Sequence, residues 1–290
     1  MGDRRRSLWN FDDLDGTEAR MREQLEREVT DEGRAEVLTQ LARVEGLRDD
    51  FNAGERLIDE AENLAGESGA ARARIDLERG RLRRSSGNAE AALPLFESAF
   101  AISLEADESF IAADAAHMAA LAARDRDGFI SWTKRGIALA ESNEDAGYWL
   151  GPLLNNLGWE YYDAAEHAEA LDAFQRALAA REQDPDNRGA IEIGRFAVGK
   201  TLRVLGRSEE AVPLLEHAVA WAEDEGAPDG WFHEELAEEY AALGRASEAR
   251  EQARLALPLL LDADPSFADN AERAARLRSL AGVTDTPNDG

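Results

Sequence analysis

The chain has 290 residues, 60 acidic and 33 basic, for a formal net charge of −27, with 44% hydrophobic residues and no cysteine. The lack of thiols excludes a disulfide scaffold, a thiolate metal site and a cysteine nucleophile, and the acidic excess repels a phosphate backbone, which argues against nucleic acid as a partner. The apolar content is close to that of ordinary globular chains, so a sizeable core is expected. Lys134 and Lys200 are the only lysines, and every other basic residue is an arginine.

At the N-terminus, MGDRRRSLWNFDDLDG opens with charge but has no apolar stretch of signal-peptide length before Asp12, Asp13 and Asp15. Arg6 stands where the myristoylation pattern needs serine or threonine. No window approaches 18 uninterrupted apolar residues, and the most apolar run, ALPLLL at 256–261, is short and contains Pro258. A cytoplasmic protein with no membrane partner is expected. Residues 1–30 read as an N-terminal segment whose stretch 17–28 forms a capping helix, with Trp9 and Phe11 packed against it.

From 31 to 265 the chain repeats itself. GNAEAALPLFESAFAISLE (87–105) and GRSEEAVPLLEHAVAWAE (206–223) carry glycine, alanine, a Pro-Leu pair, glutamate and alanine in the same order. Each unit has two apolar stretches at helical spacing, separated by a turn such as LGRSEE or LGRASE. Small residues at Gly158, Ala170 and Ala177 let the two helices approach, while Leu157, Tyr161 and Phe174 fill the space between units. One helical pair cannot bury its apolar face alone, so stacking is compulsory. The anchors are Gly54/Ile58/Ala61, Ala92/Phe96/Ala99, Phe129/Thr133/Gly136, Ala170/Phe174/Ala177, Ala211/Leu215/Ala218 and Ala249/Ala253/Ala256. Residues 266–282 read as a C-terminal capping helix and 283–290 as a disordered tail. No strand is expected.

The clearest unit is LLNNLGWEYYDAAEHAEALDAFQRALAARE (153–182). Its Leu154, Leu157, Gly158, Tyr161, Ala170, Phe174 and Ala177 occupy the seven key positions of the tetratricopeptide repeat (TPR), with leucine in the usual tryptophan place. The chain resembles the TPR family over roughly residues 34–265. The resemblance implies an all-α fold, an α-solenoid of about six TPR-like helical hairpins between N- and C-terminal capping helices, with all six repeats (31–265) in a single stack. Successive anchors lie about 37 to 41 residues apart rather than the 34 of the standard repeat, and Gly54 and Phe129 depart from the usual small alanine.

The resemblance also implies a concave face lined by the first helix of each pair. Its columns read Thr39, Arg43, Gly46; Leu77, Arg81, Arg84; Asp114, Met118, Leu121; Asn155, Trp159, Tyr162; Phe196, Lys200, Arg203; and Glu234, Glu238, Ala241. Cations gathered there in an acidic protein would attract a carboxylate or phosphate. Asn155 and Asn156 would clamp an extended peptide backbone, as asparagines do in TPR domains that hold peptides, or else pair with the next helix. Trp159 and Tyr162 form a binding floor or a packing platform. Lys200 and Arg203 take an anion or salt-bridge to Glu234 and Glu238. His117 is a buried structural histidine or an acid–base group.

GRFAVGKT at 194–201 spells a Walker A motif, but a phosphate cradle needs strand, loop and helix, whereas this segment continues helically in register with the fifth repeat. It reads as a chance match. HEEL at 233–236 lacks a second histidine, and DPDNRG at 184–189 lacks the oxygen ligands of a calcium loop. No metal, cofactor or catalytic residue is expected. The leading expectation is a non-catalytic module that binds a protein or peptide segment with carboxylate character, through Asn155, Asn156, Trp159, Tyr162, Lys200 and Arg203 with Arg81 and Arg84. The alternative is a sensor or enzyme for a small anionic ligand, lined by Asp114, His117, Asn155, Tyr162, Lys200, Arg203 and Glu234. A homo-oligomeric scaffold is a third possibility.

Overall fold

The computed structural model describes residues 5–283. The tail expected to be disordered therefore lies, apart from Val283, outside the described residues. The chain divides into two compact units, Met1–Asn156 and Leu157–Gly290. Among the described residues there are fourteen α-helices, two 3-10 helices and no strand.

The first unit opens with a 3-10 helix at Arg6–Leu8, followed by α1 (Leu14–Arg27), α2 (Asp31–Leu47), α3 (Phe51–Leu64), α4 (Gly69–Ser85), α5 (Ala89–Glu105), α6 (Ser109–Ala122) and α7 (Arg126–Ser142). A second 3-10 helix, Glu144–Trp149, leads into α8 (Leu150–Asp163), within which the division falls. The helices pair in sequence, α2 with α3, α4 with α5 and α6 with α7, while α2, α4 and α6 also pack side by side. The starts of these helices are set locally. Thr30, Asp50, Ser68, Asn88 and Asp125 each accept a backbone N–H from the first turn, satisfying donors that a helix leaves open.

The second unit continues with α9 (His167–Arg181), α10 (Arg188–Val204), α11 (Ser208–Asp224), α12 (Gly230–Ala242), α13 (Ala246–Ala263) and α14 (Ala271–Ala281). Here α10 pairs with α11 and α12 with α13, and α14 covers the end of α13. Residues 266–270, expected within the last helix, form turns instead. Pro265 precedes them, and the Asn270 side chain accepts the Arg273 N–H, so the helix starts at Ala271.

The anchor residues are the core. Ile58, Phe96, Phe174 and Leu215 are fully buried, as are Ala61, Ala92, Ala99, Ala170, Ala177, Ala211 and Ala218. Burying one such large side chain contributes about 1.5–3 kcal/mol. Phe129 is half-buried, so the third repeat keeps its bulky residue at the margin. In the LGRSEE turn Gly206 adopts φ 72°, a left-handed conformation that L side chains resist. Trp9 packs onto the Met21 cluster between α1 and α2, while Phe11 is 57% exposed and stacks on Trp9 at 4.8 Å. No described helix is long and apolar enough to cross a membrane.

The helices of a hairpin approach closely at Gly158, where an added Cβ would lie 2.5 Å from the Phe174 ring, as at Gly80 against Phe96. Alanine there gains about 1 kcal/mol of helix propensity but forces the buried ring aside, at about 1–3 kcal/mol. Gly158→Ala is expected to lower stability by up to about 2 kcal/mol in urea unfolding, whereas Gly147→Ala, where an added Cβ meets nothing within 4 Å, is expected to change it by less than about 0.5 kcal/mol.

Candidate functional site

Spacings of four and three place Glu36, Gln40 and Arg43 of α2 on one helix face, and likewise Arg74, Glu78 and Arg81 of α4, and Phe110, Asp114 and His117 of α6. In the first unit Gln40, Arg43, Arg74, Glu78, Phe110 and Asp114 line a cavity of about 70 Å³, whose remaining walls are Arg6, Trp9 and Phe11 of the N-terminal segment and Tyr148 and Trp149 of the second 3-10 helix. A neighbouring cavity of about 170 Å³ shares Arg43 and Glu78 and adds Arg81, Leu82 and Met118. Thr39 and Leu77, placed on the open columns from the sequence, are buried at 0% and 2% exposure. Arg43, Gly46, Arg81, Asp114 and Met118 of the same columns do line the two cavities, together with the buried Gln40 and Glu78.

The charges around these cavities are mostly consumed. Arg81 donates to Glu78 at 2.5 Å and to Asp114. Burial alone would lower its pKa, but the charges of Asp114 and Glu78 outweigh burial and hold it above the usual arginine value. Glu36 lies between Arg74 at 3.5 Å and Arg5 at 3.7 Å. Arg43 is different. Among the described residues it has no hydrogen bond and no ion pair, and its guanidinium lies over the Trp9 and Phe11 rings, 5.1 and 5.4 Å from their centroids. Burial presses its pKa down, the charge of Arg81 adds to this, and Glu78 and Asp114 oppose it. Trp9 is fixed by an Nε1–H bond to Gln40 Oε1 at 3.0 Å, and Arg6 lies 3.4 Å above the Tyr148 ring.

The residues singled out from the sequence fall into separate clusters. In the first unit Arg81, Asp114 and His117 adjoin, Asn156 Nδ2 is 3.0 Å from His117 Nε2, and Arg84 Nε donates to the Leu121 carbonyl at 3.3 Å. The amide can donate only to an unprotonated ring nitrogen. Burial lowers the His117 pKa to about 4, with Asp114 opposing and Arg81, Arg84 and Arg43 adding to the fall. Asn155 Oδ1 is buried without a partner.

In the second unit Trp159 packs edge-on to Tyr162 at 5.5 Å and to Phe174 at 4.9 Å. Lys200 and Arg203 both bind one carboxylate, Glu235, with Arg203 Nε 2.7 Å from Oε2. Burial would raise the pKa of Glu235, but the two cations outweigh it and hold the carboxyl below its usual range. The salt-bridge partner is thus Glu235 rather than Glu234 or Glu238, which pair with Arg273 and Arg276. Tyr162 has its pKa raised, first by burial and then by the Glu235 charge. GRFAVGKT lies wholly inside α10, without the strand and loop of a phosphate cradle. No group of three or more His, Asp or Glu side chains among the described residues is placed to hold a metal ion.

Sequence reasoning passed over Arg6, Gln40, Glu78, Tyr148 and Trp149. The available signal was the pairing of Trp9 with Phe11 in an otherwise polar segment, and of Tyr148 with Trp149 ahead of α8.

No protein-family model matches this sequence, and no curated protein matches it. Solved structures do match in fold. The apo form of RapI aligns with TM-score 0.72 at 15% identity, over 94% of this chain and 78% of its own. A signal-transduction ATPase with numerous domains (STAND) from Pyrococcus horikoshii, which carries a tetratricopeptide repeat sensor, aligns with TM-score 0.66 at 13% identity, over 91% and 42%. The anaphase-promoting complex hetero-tetramer Cut9–Hcn1 aligns with TM-score 0.57 at 14% identity, over 94% and 49%. This chain therefore spans less than half of the second and third proteins. The architecture is that of a TPR-like α-solenoid.

Two expectations follow from the charged clusters. The folded-state pKa of His117, near 4, lies below its ordinary 6.5, so the unfolded chain takes up the proton first. Stability is complete above pH 6.5 and is lost as the pH falls toward 4, by about 2–3 kcal/mol. Urea unfolding of His117→Gln, measured from pH 7.5 to 4, is expected to lack that component. In the second cluster Glu235→Gln strips two cations of their counter-charge and is expected to cost about 2–4 kcal/mol, with a smaller loss for Lys200→Met because Arg203 keeps its hold on the carboxylate; thermal unfolding of the two variants checks the order.

Proposed function

We propose that this chain is a non-catalytic protein-interaction module that binds a peptide or protein segment bearing a carboxylate, with Arg43 receiving the charge in the first unit. The observation that carries the reading is a half-buried guanidinium with no partner among the described residues, facing a cavity between aromatic walls. A fold gains little from such a charge, since its desolvation is offset only by contact with the rings. An incoming carboxylate supplies the missing pair through two parallel N–H bonds. The adjoining cavity at Arg81, Leu82 and Met118 leaves room for chain on either side of the anchored group. With a net charge of −27 the partner is a protein rather than a nucleic acid, and we place the encounter in the cytoplasm.

A second reading, a sensor of a small anionic ligand, draws support from the 70 Å³ size of the aromatic cavity. The Pyrococcus protein, which uses its repeats as a sensor, is consistent with it.

An immobilised array of heptapeptides, acidic members set against neutral ones, tests the leading reading. Wild-type protein is expected to retain acidic members, and Arg43→Gln to lose them at least tenfold with an unchanged or higher thermal midpoint. Equal retention of acidic and neutral peptides, or retention that survives Arg43→Gln, would count against the module acting through Arg43.

A further inference from the structure

The cavity around Arg43 has more specificity than an anion site needs. Two aromatic walls face it from different parts of the chain. One is the Trp9–Phe11 stack, with ring centroids 4.8 Å apart and planes within 15°. The other is Phe110 with Tyr148 and Trp149, at centroid distances of 6.0 and 5.7 Å. A simple carboxylate would use none of this surface.

We propose that the cavity recognises an aromatic ring carrying a carboxylate two or three bonds away, an inference that rests on Arg43 receiving an anion as argued above. The ring enters between the aromatic walls, where offset or edge-on contact with each is favourable. The carboxylate meets the Arg43 fork at the margin shared with the second cavity. Trp149 Nε1 and Glu78 Oε2, on two of the lining residues, are buried without hydrogen-bond partners.

The surrounding charges select among anions and against cations. Glu78 and Asp114 line the cavity beside Arg43, so a phosphate dianion meets two carboxylates while a monoanion is matched by the unpaired cation. An aromatic cage would otherwise suit a quaternary ammonium ion, but Arg43 and Arg6, the latter 3.4 Å above Tyr148, repel a cation. An aryl carboxylate satisfies both conditions. It has two natural sources, a free small acid or the last residue of a peptide ending in an aromatic side chain.

Isothermal calorimetry with four probes tests this: 3-phenylpropionate, 3-phenylpropanamide, propionate and a pentapeptide ending in phenylalanine with a free carboxylate. We expect 3-phenylpropionate to bind at least tenfold more tightly than its amide and than propionate. Arg43→Gln is expected to abolish the difference between acid and amide. Phe11→Ala, at a residue more than half exposed and so tolerant of truncation, is expected to weaken 3-phenylpropionate at least threefold while leaving the thermal midpoint unchanged. Tighter binding of the pentapeptide than of 3-phenylpropionate assigns the ligand to a chain end, and the reverse order assigns it to a free acid; both support recognition of ring and charge together. Equal binding of propionate and 3-phenylpropionate overturns the inference. So does failure of both aryl probes while ring-free acidic peptides still bind through Arg43, an outcome that leaves the interaction module standing. Loss of all Arg43-dependent peptide binding strikes the module itself.

Discussion

The contact between a residue without a side chain on the first helix of a hairpin and a large apolar residue on the second sets the phase of both units. Gly80 meets Phe96, Gly158 meets Phe174 and Gly199 meets Leu215, each pair sixteen residues apart. Once that contact is made the first helix cannot rotate, and the direction of every other side chain on it follows from about 100° per residue. On α4, Leu77 lies roughly 60° from Gly80 and is carried into the core, while Glu78 lies roughly 160° away and lines the cavities with Arg74 and Arg81. On α2 the fully buried Ala42 stands to Thr39, Gln40 and Arg43 as Gly80 stands to Leu77, Glu78 and Arg81. The polar columns are therefore a consequence of the packing columns.

This relation also explains what could be read without coordinates. The hairpins were legible because Ala92/Phe96/Ala99 and Ala211/Leu215/Ala218 repeat a pattern that only close helix packing requires, and the structure buries all six of these residues. The lining of the cavities is less legible. The family's usual register starts its columns at Thr39 and Leu77, which are buried, while Arg43, Gly46, Arg81, Asp114 and Met118 of those columns line the cavities beside Gln40 and Glu78, which that register leaves out.

The walls of the cavity were out of reach for a different reason. Trp9 and Gln40 are 31 residues apart, and Tyr148 arrives on a 3-10 helix inserted between α7 and α8. No local spacing encodes such meetings. They depend on where an irregular segment settles after the regular helices have stacked. The same segments supply most of the aromatic surface around Arg43, so the feature that distinguishes this cavity from a generic repeat surface comes from the parts of the chain that do not repeat.

The two charged clusters answer the same physical problem in opposite ways. In the second unit Lys200 and Arg203 converge on Glu235, a carboxylate that is 3% exposed, and the cluster is complete as it stands. In the first unit Arg81 consumes Glu78 and Asp114, and Glu36 is placed between Arg5 and Arg74, which among the described residues leaves Arg43 with aromatic faces and no carboxylate. A guanidinium tolerates this arrangement better than an ammonium would, because it is more weakly hydrated and stacks on rings. Tolerance is not the same as satisfaction, since ring contact returns about 0.5–2 kcal/mol, while each hydrogen bond to a charged partner contributes about 1.5–3 kcal/mol. Among the described residues the unit thus holds a cation without a carboxylate partner, in a protein of net charge −27. That combination concentrates the attraction for a carboxylate at one place and leaves the aromatic walls to decide which carboxylate fits.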